Sequence, residues 1–417
     1  MDIWHIRGGN ELDGACFVQG SKNATLPIIA ASIISPARSE LLNVPQLRDV
    51  DAALRILRHL GCTAEQRRNE VFIDSTYLSN SAIPHELMEE MRSSVIFMGA
   101  LIARCGEARL SLPGGCQLGK RPIDLHLSAL RAMGAEIDEE GSEIYCRAAK
   151  LHGAELALPF PSVGATENIM LAACAAKGKT VIHGAAREPE IIALGDYLRA
   201  MGAQITGAGT DKVEITGFHA SPRAVYRIIP DRIVASTIAC AVAAVGGDVE
   251  MRGVAPEHFS TVLYFLNQAG CDIISSKRSV RIRSDACLKA PGEISTEPYP
   301  GFPTDAQPVL MAALLKAEGR TVITENIFEN RFRQVPELRR LGADIVTEER
   351  RAEIWGVDCL TGTALNATDL RGGAAMIVAG LAAAGETVIF DDGHITRGYE
   401  RFDARLRALG ADIYLEY

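Results

Sequence analysis

Apolar positions along this chain fall into two textures that alternate. The first is alanine-rich and apolar all round, as in 169–176, 234–245 and 374–384, and predicts helices buried on every side. The second alternates apolar and polar residues, as in Thr180-Val181-Ile182-His183, Asp248-Val249-Glu250-Met251 and Glu386-Thr387-Val388-Ile389-Phe390, and predicts strands with one covered face. Between them recurs a helix ending in Leu, two further residues and an apolar one, then Gly-Ala or Gly-Cys. The glycines of this phrase are Gly61, Gly134, Gly202, Gly270, Gly342 and Gly410, spaced by 73, 68, 68, 72 and 68 residues.

Glycine ends each of these helices because it alone enters the left-handed region without steric cost. A single such cap says nothing about architecture, whereas the period does: the chain is six units of about seventy residues. After each glycine come two strands, such as Ala135-Glu136-Ile137-Asp138, Ala343-Asp344-Ile345-Val346 and Val71-Phe72-Ile73-Asp74. One unit therefore reads helix, strand, helix, strand, strand. This is an α/β fold with its small-residue helices inside a layer of sheet.

With 417 residues, 47% hydrophobic and 23% charged, the chain can bury sizeable cores in two or three domains or one repetitive architecture. Its net charge of −9 disfavours a nucleic-acid partner and requires any anionic substrate to be held by local cations. Ten cysteines without a CxxC pair fit a reducing compartment better than a disulfide framework or a zinc ribbon. The start of the chain lacks a signal-peptide pattern and no apolar run reaches membrane-spanning length, so a cytoplasmic, non-membrane protein is expected.

Candidate chemistry gathers where cations or a thiol stand at helix starts and turns. Lys22, in Gly20-Ser21-Lys22-Asn23-Ala24-Thr25-Leu26-Pro27, sits at the start of an apolar helix, where backbone amides bind anions; an exposed lysine would look the same. Cys116 lies in Pro113-Gly114-Gly115-Cys116-Gln117-Leu118-Gly119-Lys120-Arg121-Pro122, where glycines and adjacent cations favour an accessible thiolate over a buried one. Asp305, in Phe302-Pro303-Thr304-Asp305, follows a proline-rich stretch and is either a cap or a general base. As a turn carboxylate it should be removable without leaving a buried partner unsatisfied. Arg331, Arg371 and Arg397 each stand at a strand–helix joint and suit carboxylate or phosphate oxygens, or else structural ion pairs. Ser162-Val163-Gly164-Ala165 and Met91-Arg92-Ser93-Ser94 fit contacts to a nucleotide-sugar, or simple caps.

These motifs, with Arg187-Glu188-Pro189-Glu190-Ile191, Pro230-Asp231-Arg232-Ile233, Phe328-Glu329-Asn330-Arg331-Phe332, Asp369-Leu370-Arg371 and Arg397-Gly398-Tyr399-Glu400, run in order over essentially the whole chain. Together they resemble the enolpyruvyl transferase family, and within it the branch that uses UDP-N-acetylglucosamine. The resemblance implies a two-lobed inside-out α/β barrel with helices inside and sheets outside. One lobe would be residues 22–229 with three repeats and the cysteine loop, the other residues 1–21 and 230–417 with three more, and the substrates would lie in the cleft between them.

It further implies transfer of the enolpyruvyl group of phosphoenolpyruvate to the 3-hydroxyl of UDP-N-acetylglucosamine by addition and elimination, with release of phosphate, in peptidoglycan precursor synthesis. Lys22, Arg121 and Arg397 would hold the phosphate, and Arg331 and Arg371 would stand on the carboxylate side. Asn23, Arg92, Arg121, Pro122, Ile123, Asp124, Leu125, Ser162, Val163, Gly164, Ala165, Asp305 and Ile327 would line the nucleotide-sugar site. Cys116 would be the acid and the target of fosfomycin-type inhibitors, Asp305 the base, with Lys22 and Arg397 also in the catalytic set. No metal or cofactor is expected. The sequence departs from common family patterns at Gln117-Leu118, Lys120, Phe160-Pro161, Val234 and Ser236, none of them a chemical residue. Rival readings are the shikimate-pathway enolpyruvyl transferase, against which the Pro-Gly-Gly-Cys loop argues, and a non-catalytic nucleotide-sugar sensor, which should have lost a chemical residue. An RNA-end processing enzyme of related repeats is disfavoured by the charge.

Overall fold

The computed structural model describes residues 1–91, 94–111, 123–219 and 221–417. They fall into two compact units, one made of Met1–Gln19 with Pro230–Tyr417 and the other of the described residues within 20–229. Among them are six four-stranded sheets, three in each unit. In the repeat built on Gly202, strand Glu155–Ala157 leads through helix Val163–Ala173 to the parallel strand Thr180–His183. Helix Pro189–Ala200 and the antiparallel strands Ala203–Thr206 and Lys212–Phe218 complete the sheet.

The expected order of helix, strand, helix, strand, strand thus gains a short leading strand, such as Glu155–Ala157, Glu293–Ser295 or Ala364–Asn366. Three residues are too few to establish an alternation, which is why periodicity alone passes over them. The buried helix of this repeat also begins six residues earlier than its apolar run. Ser162 caps it by accepting from the Ala165 amide at 3.3 Å, and the polar Thr166, Glu167 and Asn168 lie inside its first turns.

All six marker glycines have positive φ, between 94° and 113°. At Gly202 a side chain is excluded twice over, because a Cβ would come 1.9 Å from the His219 carbonyl oxygen.

In the unit containing Pro230–Tyr417, helices Arg232–Val245, Gln307–Ala313 and Leu370–Ala382 touch one another and are buried along almost their entire length. Their Ala, Gly, Ser and Thr positions let the backbones approach, while the sheets wrap them. Strand Asp2–Arg7 has Asp2, Trp4 and Ile6 buried and His5 and Arg7 turned outward, showing the one-sided covering of those sheets. The other unit has the corresponding helices Lys22–Ala31, Phe97–Cys105 and Val163–Ala173.

Among the described residues the chain passes between the units at two places, and at both a strand leaves its sequence neighbours. Strand Leu12–Phe17 precedes helix Lys22–Ala31 in sequence but pairs in parallel with Gly247–Arg252. Strand Arg223–Arg227 precedes helix Arg232–Val245 but pairs in parallel with Arg38–Leu42. Asp2–Arg7 lies between Glu386–Asp391 and Asp412–Glu416, so residues from both ends of the chain share one sheet.

Candidate active site

The outer helices follow ordinary electrostatics: Arg48–His59 carries Asp49 and Asp51 in its first turn and Arg58 and His59 in its last. The inner helices do the reverse. Arg232 and Arg371 occupy the first turns of Arg232–Val245 and Leu370–Ala382, where the partial positive charge of the helix disfavours a cation. Each is preceded by an aspartate that caps the helix. Asp231 accepts from the Ile233 and Val234 amides at 2.9 and 3.0 Å, and Asp369 from the Arg371 and Gly372 amides at 2.9 and 3.1 Å.

Asp305, on the short 3-10 turn Thr304–Ala306 that leads into helix Gln307–Ala313, is held by two arginines. Arg331 Nη2 donates to its Oδ1 at 2.8 Å and Arg371 Nη2 to its Oδ2 at 3.0 Å. Burial pushes the Asp305 carboxyl up, but Arg371 and Arg331, with a smaller contribution from Arg232, outweigh this and hold it well below the usual carboxylate range. Arg331 also donates through Nε and Nη2 to the Thr304 carbonyl oxygen, at 3.2 and 3.1 Å. The Arg371 guanidinium lies 5.8 Å from the Tyr399 ring centroid, and the Tyr399 hydroxyl bonds Thr237 Oγ1 at 2.9 Å. Burial raises the Tyr399 pKa, so the phenol stays neutral.

Two residues that sequence reasoning passes over brace this region. Glu325, fully buried, accepts from the Ile327 and Phe328 amides at 2.8 and 3.0 Å and from Thr304 Oγ1 at 3.0 Å. One carboxylate thereby ties the Ile327 loop to the residue before Asp305. Gln19 donates to the Gly398 carbonyl at 3.1 Å and accepts from the Glu400 amide at 2.9 Å, gripping the backbone just beyond the half-buried Arg397. The 3-10 turn Ile395–Arg397 is fixed on its other side by Asp391, which accepts from the His394 and Ile395 amides. An acid straight after the strand Arg320–Thr324 is the sequence signal for Glu325, and its burial is seen only in the structure; Gln19 has no such signal.

In the other unit, Ser21 caps helix Lys22–Ala31, and Lys22 Nζ meets the buried Asp49 carboxylate at 3.1 Å. Asn23 follows, half-buried, on the same first turn. At the start of helix Val163–Ala173 the hydrogen bonds assign a tautomer. The Gly99 amide donates to Asn168 Oδ1 at 2.7 Å, so Asn168 Nδ2 is the donor to His126 Nδ1 at 2.8 Å, and the His126 proton sits on Nε2. Burial, partly opposed by Asp124, lowers the His126 pKa to about 4, leaving the ring neutral at pH 7. That ring packs on Gly164, where a Cβ would lie 3.1 Å from Cε1. Ile123 and Leu125 are half-buried beside it and Asp124 is exposed. Deeper in the same helix, burial and then the charges of Glu190 and Glu188 raise the Glu167 pKa well above that of an ordinary glutamate.

The sequence profile of the EPSP synthase (3-phosphoshikimate 1-carboxyvinyltransferase) family matches residues 6–406. The chain belongs to this family. Its enolpyruvyl transferase relatives include the UDP-N-acetylglucosamine 1-carboxyvinyltransferase 2 of Caldanaerobacter subterraneus subsp. tengcongensis, 46% identical over 99% of both chains. The UDP-N-acetylglucosamine 1-carboxyvinyltransferase 1 of Staphylococcus aureus is 45% identical, again over 99% of both. Among solved structures, the enolpyruvyl transferase NikO from Streptomyces tendae superposes with a TM-score of 0.88 at 24% identity, covering 99% of this chain and 98% of its own. EPSP synthase from Acinetobacter baumannii gives 0.78 at 21% over 100% of both. These likenesses establish the inside-out α/β fold of the enolpyruvyl transferases for this chain.

For this family member, the structure brings Asp305, Arg331 and Arg371 into one ion-paired cluster and sets Lys22 on Asp49. Ser162 to Ala165 form the capped start of a helix against His126, and Ile327 and Arg397 stand on braced loops. Cys116, Arg92, Arg121 and Pro122 lie outside the described residues. The expectation that removing Asp305 leaves no buried partner unsatisfied is overturned, since Arg331 and Arg371, which both pair with it, retain 2% and 5% side-chain exposure. Among the described residues, no group of His, Cys, Asp or Glu could hold a metal ion, and no helix is long and apolar enough to cross a membrane.

Proposed function

We propose that the protein transfers the enolpyruvyl group of phosphoenolpyruvate to the 3-hydroxyl of UDP-N-acetylglucosamine, releasing phosphate, in the cytoplasmic synthesis of peptidoglycan precursors. The observation that carries this reading is full-length similarity, at 45–46% identity, to proteins named for that reaction. The chemistry of the described residues supports it: the arginine pair at Asp305 is a fork for a carboxylate, and Lys22 and Arg397 offer cations for a phosphate.

In the addition step, Asp305 takes the proton of the acceptor hydroxyl while the hydroxyl oxygen bonds to the central carbon of phosphoenolpyruvate. The double-bond electron pair takes a proton at the methylene carbon from the Cys116 thiol, leaving a thiolate. In the elimination step, phosphate departs with the electrons of its C–O bond and takes up the proton that Asp305 removed from the hydroxyl, while the thiolate recovers a proton from the methyl group, whose C–H electron pair re-forms the double bond. Arg331 and Arg371 hold the carboxylate, and Lys22, Arg121 and Arg397 hold the phosphate and then stabilise it as it leaves. Asn23, Arg92, Arg121 to Leu125, Ser162 to Ala165, Asp305 and Ile327 contact the nucleotide-sugar. The neutral His126 offers its Nε2 proton at the Gly164 end of that set. Residues 22–229 form one functional lobe, and residues 1–21 with 230–417 the other. No resident metal or cofactor takes part. An epoxide phosphonate such as fosfomycin, drawn to the phosphate cations, alkylates Cys116.

Phosphate release from phosphoenolpyruvate is the direct test. It should require UDP-N-acetylglucosamine and be absent with shikimate 3-phosphate. Turnover with shikimate 3-phosphate instead would move the chain to the other branch of the family, and release with neither acceptor would leave a non-catalytic binder.

A further inference from the structure

In the Asp305 cluster a candidate base is locked in ion pairs with the two arginines that the carboxylate of phosphoenolpyruvate would need. Asp305 and that substrate group are alike in charge and shape, and both cannot occupy the forks of Arg331 and Arg371 together. We infer, resting on the function proposed above, that Asp305 is a built-in occupant of the donor's carboxylate site: the incoming carboxylate displaces it, and only then is Asp305 free to accept the proton of the acceptor hydroxyl. It thereby makes a carboxylate a requirement of the donor.

Three features of the cluster support exchange. The arginines are the fixed members. Arg331 keeps two bonds to the Thr304 carbonyl whether or not Asp305 is present, and Arg371 rests on the Tyr399 ring, with its own backbone amide bonded to Asp369. Asp305 is the outermost member, with 29% of its side chain exposed against 2% and 5% for Arg331 and Arg371, so a ligand meets the cluster from the aspartate's side. Finally, replacing one carboxylate by another keeps both buried guanidinium groups paired, whereas a donor lacking the carboxylate could release Asp305 only by stranding them. While the pairs persist, Asp305 is a poor base, because the charges acting on it are those of Arg371, Arg331 and Arg232; Asp231, which accepts from helix amides as Asp369 does, also acts on Arg371.

Asp305→Asn tests this by removing the competing charge while keeping the shape. Titration calorimetry should show the variant binding phosphoenolpyruvate about tenfold or more tighter than the wild type, with inorganic phosphate, the carboxylate-free probe, changed by less than about threefold. Its turnover should meanwhile fall at least about a hundredfold. A base that does not compete with the donor would lose turnover without gaining affinity, so unchanged or weaker phosphoenolpyruvate binding by the variant overturns the inference. If the variant does not fold, a crystal structure of the wild type with phosphoenolpyruvate decides the matter. The ligand carboxylate on Arg331 and Arg371, with Asp305 more than 4 Å from both, supports exchange. Retention of the original contacts at 2.8 and 3.0 Å refutes it. A wild type that neither binds phosphoenolpyruvate nor releases phosphate from it overturns the proposed function as well, a pattern distinct from binding without the predicted tightening.

Discussion

Asp305→Ala should destabilise the unit that contains it. Arg331 and Arg371 are almost fully buried, and among described residues Asp305 is the carboxylate that both of them pair with. Removing one partner of a buried pair costs about 3–5 kcal/mol, mostly from the stranded charge. Two stranded arginines do not double the figure, because Arg331 keeps its bonds to the Thr304 carbonyl and Arg371 its contact with Tyr399. A loss of about 3–5 kcal/mol still leaves a folded chain if the unit starts within the usual range of about 5–15 kcal/mol. The assay is unusually selective, since both tryptophans of the chain, Trp4 and Trp355, belong to this unit. Urea unfolding followed by tryptophan fluorescence therefore reports it separately from the other unit. The sign with pH follows from the depressed carboxyl. The stabilisation is complete above the unfolded-state value near pH 4 and is lost as pH falls below it, so the wild-type advantage should be flat from about pH 5 to 8 and shrink toward pH 3. A difference below about 1 kcal/mol at pH 7 would mean that the cluster is not the stabilising unit described here.

Glu167→Gln should behave in the opposite sense. Because burial and the neighbouring acids raise the folded-state pKa, the wild-type glutamate loses stability as pH rises above its unfolded value near 4.3, and the glutamine variant should gain on it from about pH 5 upward until the folded carboxyl itself ionises; parallel stability curves would contradict this. Gln19→Leu frees the backbone beside Arg397 and should raise the KM for phosphoenolpyruvate about tenfold with a smaller effect on kcat, for an unsatisfied-group cost of about 1–3 kcal/mol; an unchanged KM would remove Gln19 from the positioning of that arginine. Fosfomycin should give one adduct, on Cys116, whereas iodoacetamide should also label the exposed Cys105, Cys287 and Cys359; peptide mass analysis finding fosfomycin on one of those three would refute phosphate-site targeting. Cys116→Asp should keep some turnover and escape the adduct, while Cys116→Ser, too weak an acid, should be nearly inactive.

What the sequence determined by itself is what short-range physics writes into it. The six glycines need a backbone conformation that other residues resist, the buried helices need small apolar residues on all sides, and the strands need alternation; each can be read within one stretch of chain. The unusual cations at the starts of inner helices were legible for the same reason, since Lys22 and Arg371 break a local electrostatic rule. Tertiary structure alone decided who meets whom. Arg331 and Arg371 lie 26 and 66 residues from Asp305, and Gln19 lies 379 residues from Gly398; the seventy-residue period shows that the units repeat but not which side chains of different units touch. Leu12–Phe17 and Arg223–Arg227 each pair with a sheet far from their neighbours in sequence, although an alternating strand reads the same whichever sheet receives it. That is also why Asp305 read as a free turn carboxylate. Its residue type and turn are local, but its ionisation state and its cost of removal belong to two guanidinium groups that only the tertiary fold brings to it, one from an inner helix and one from a turn.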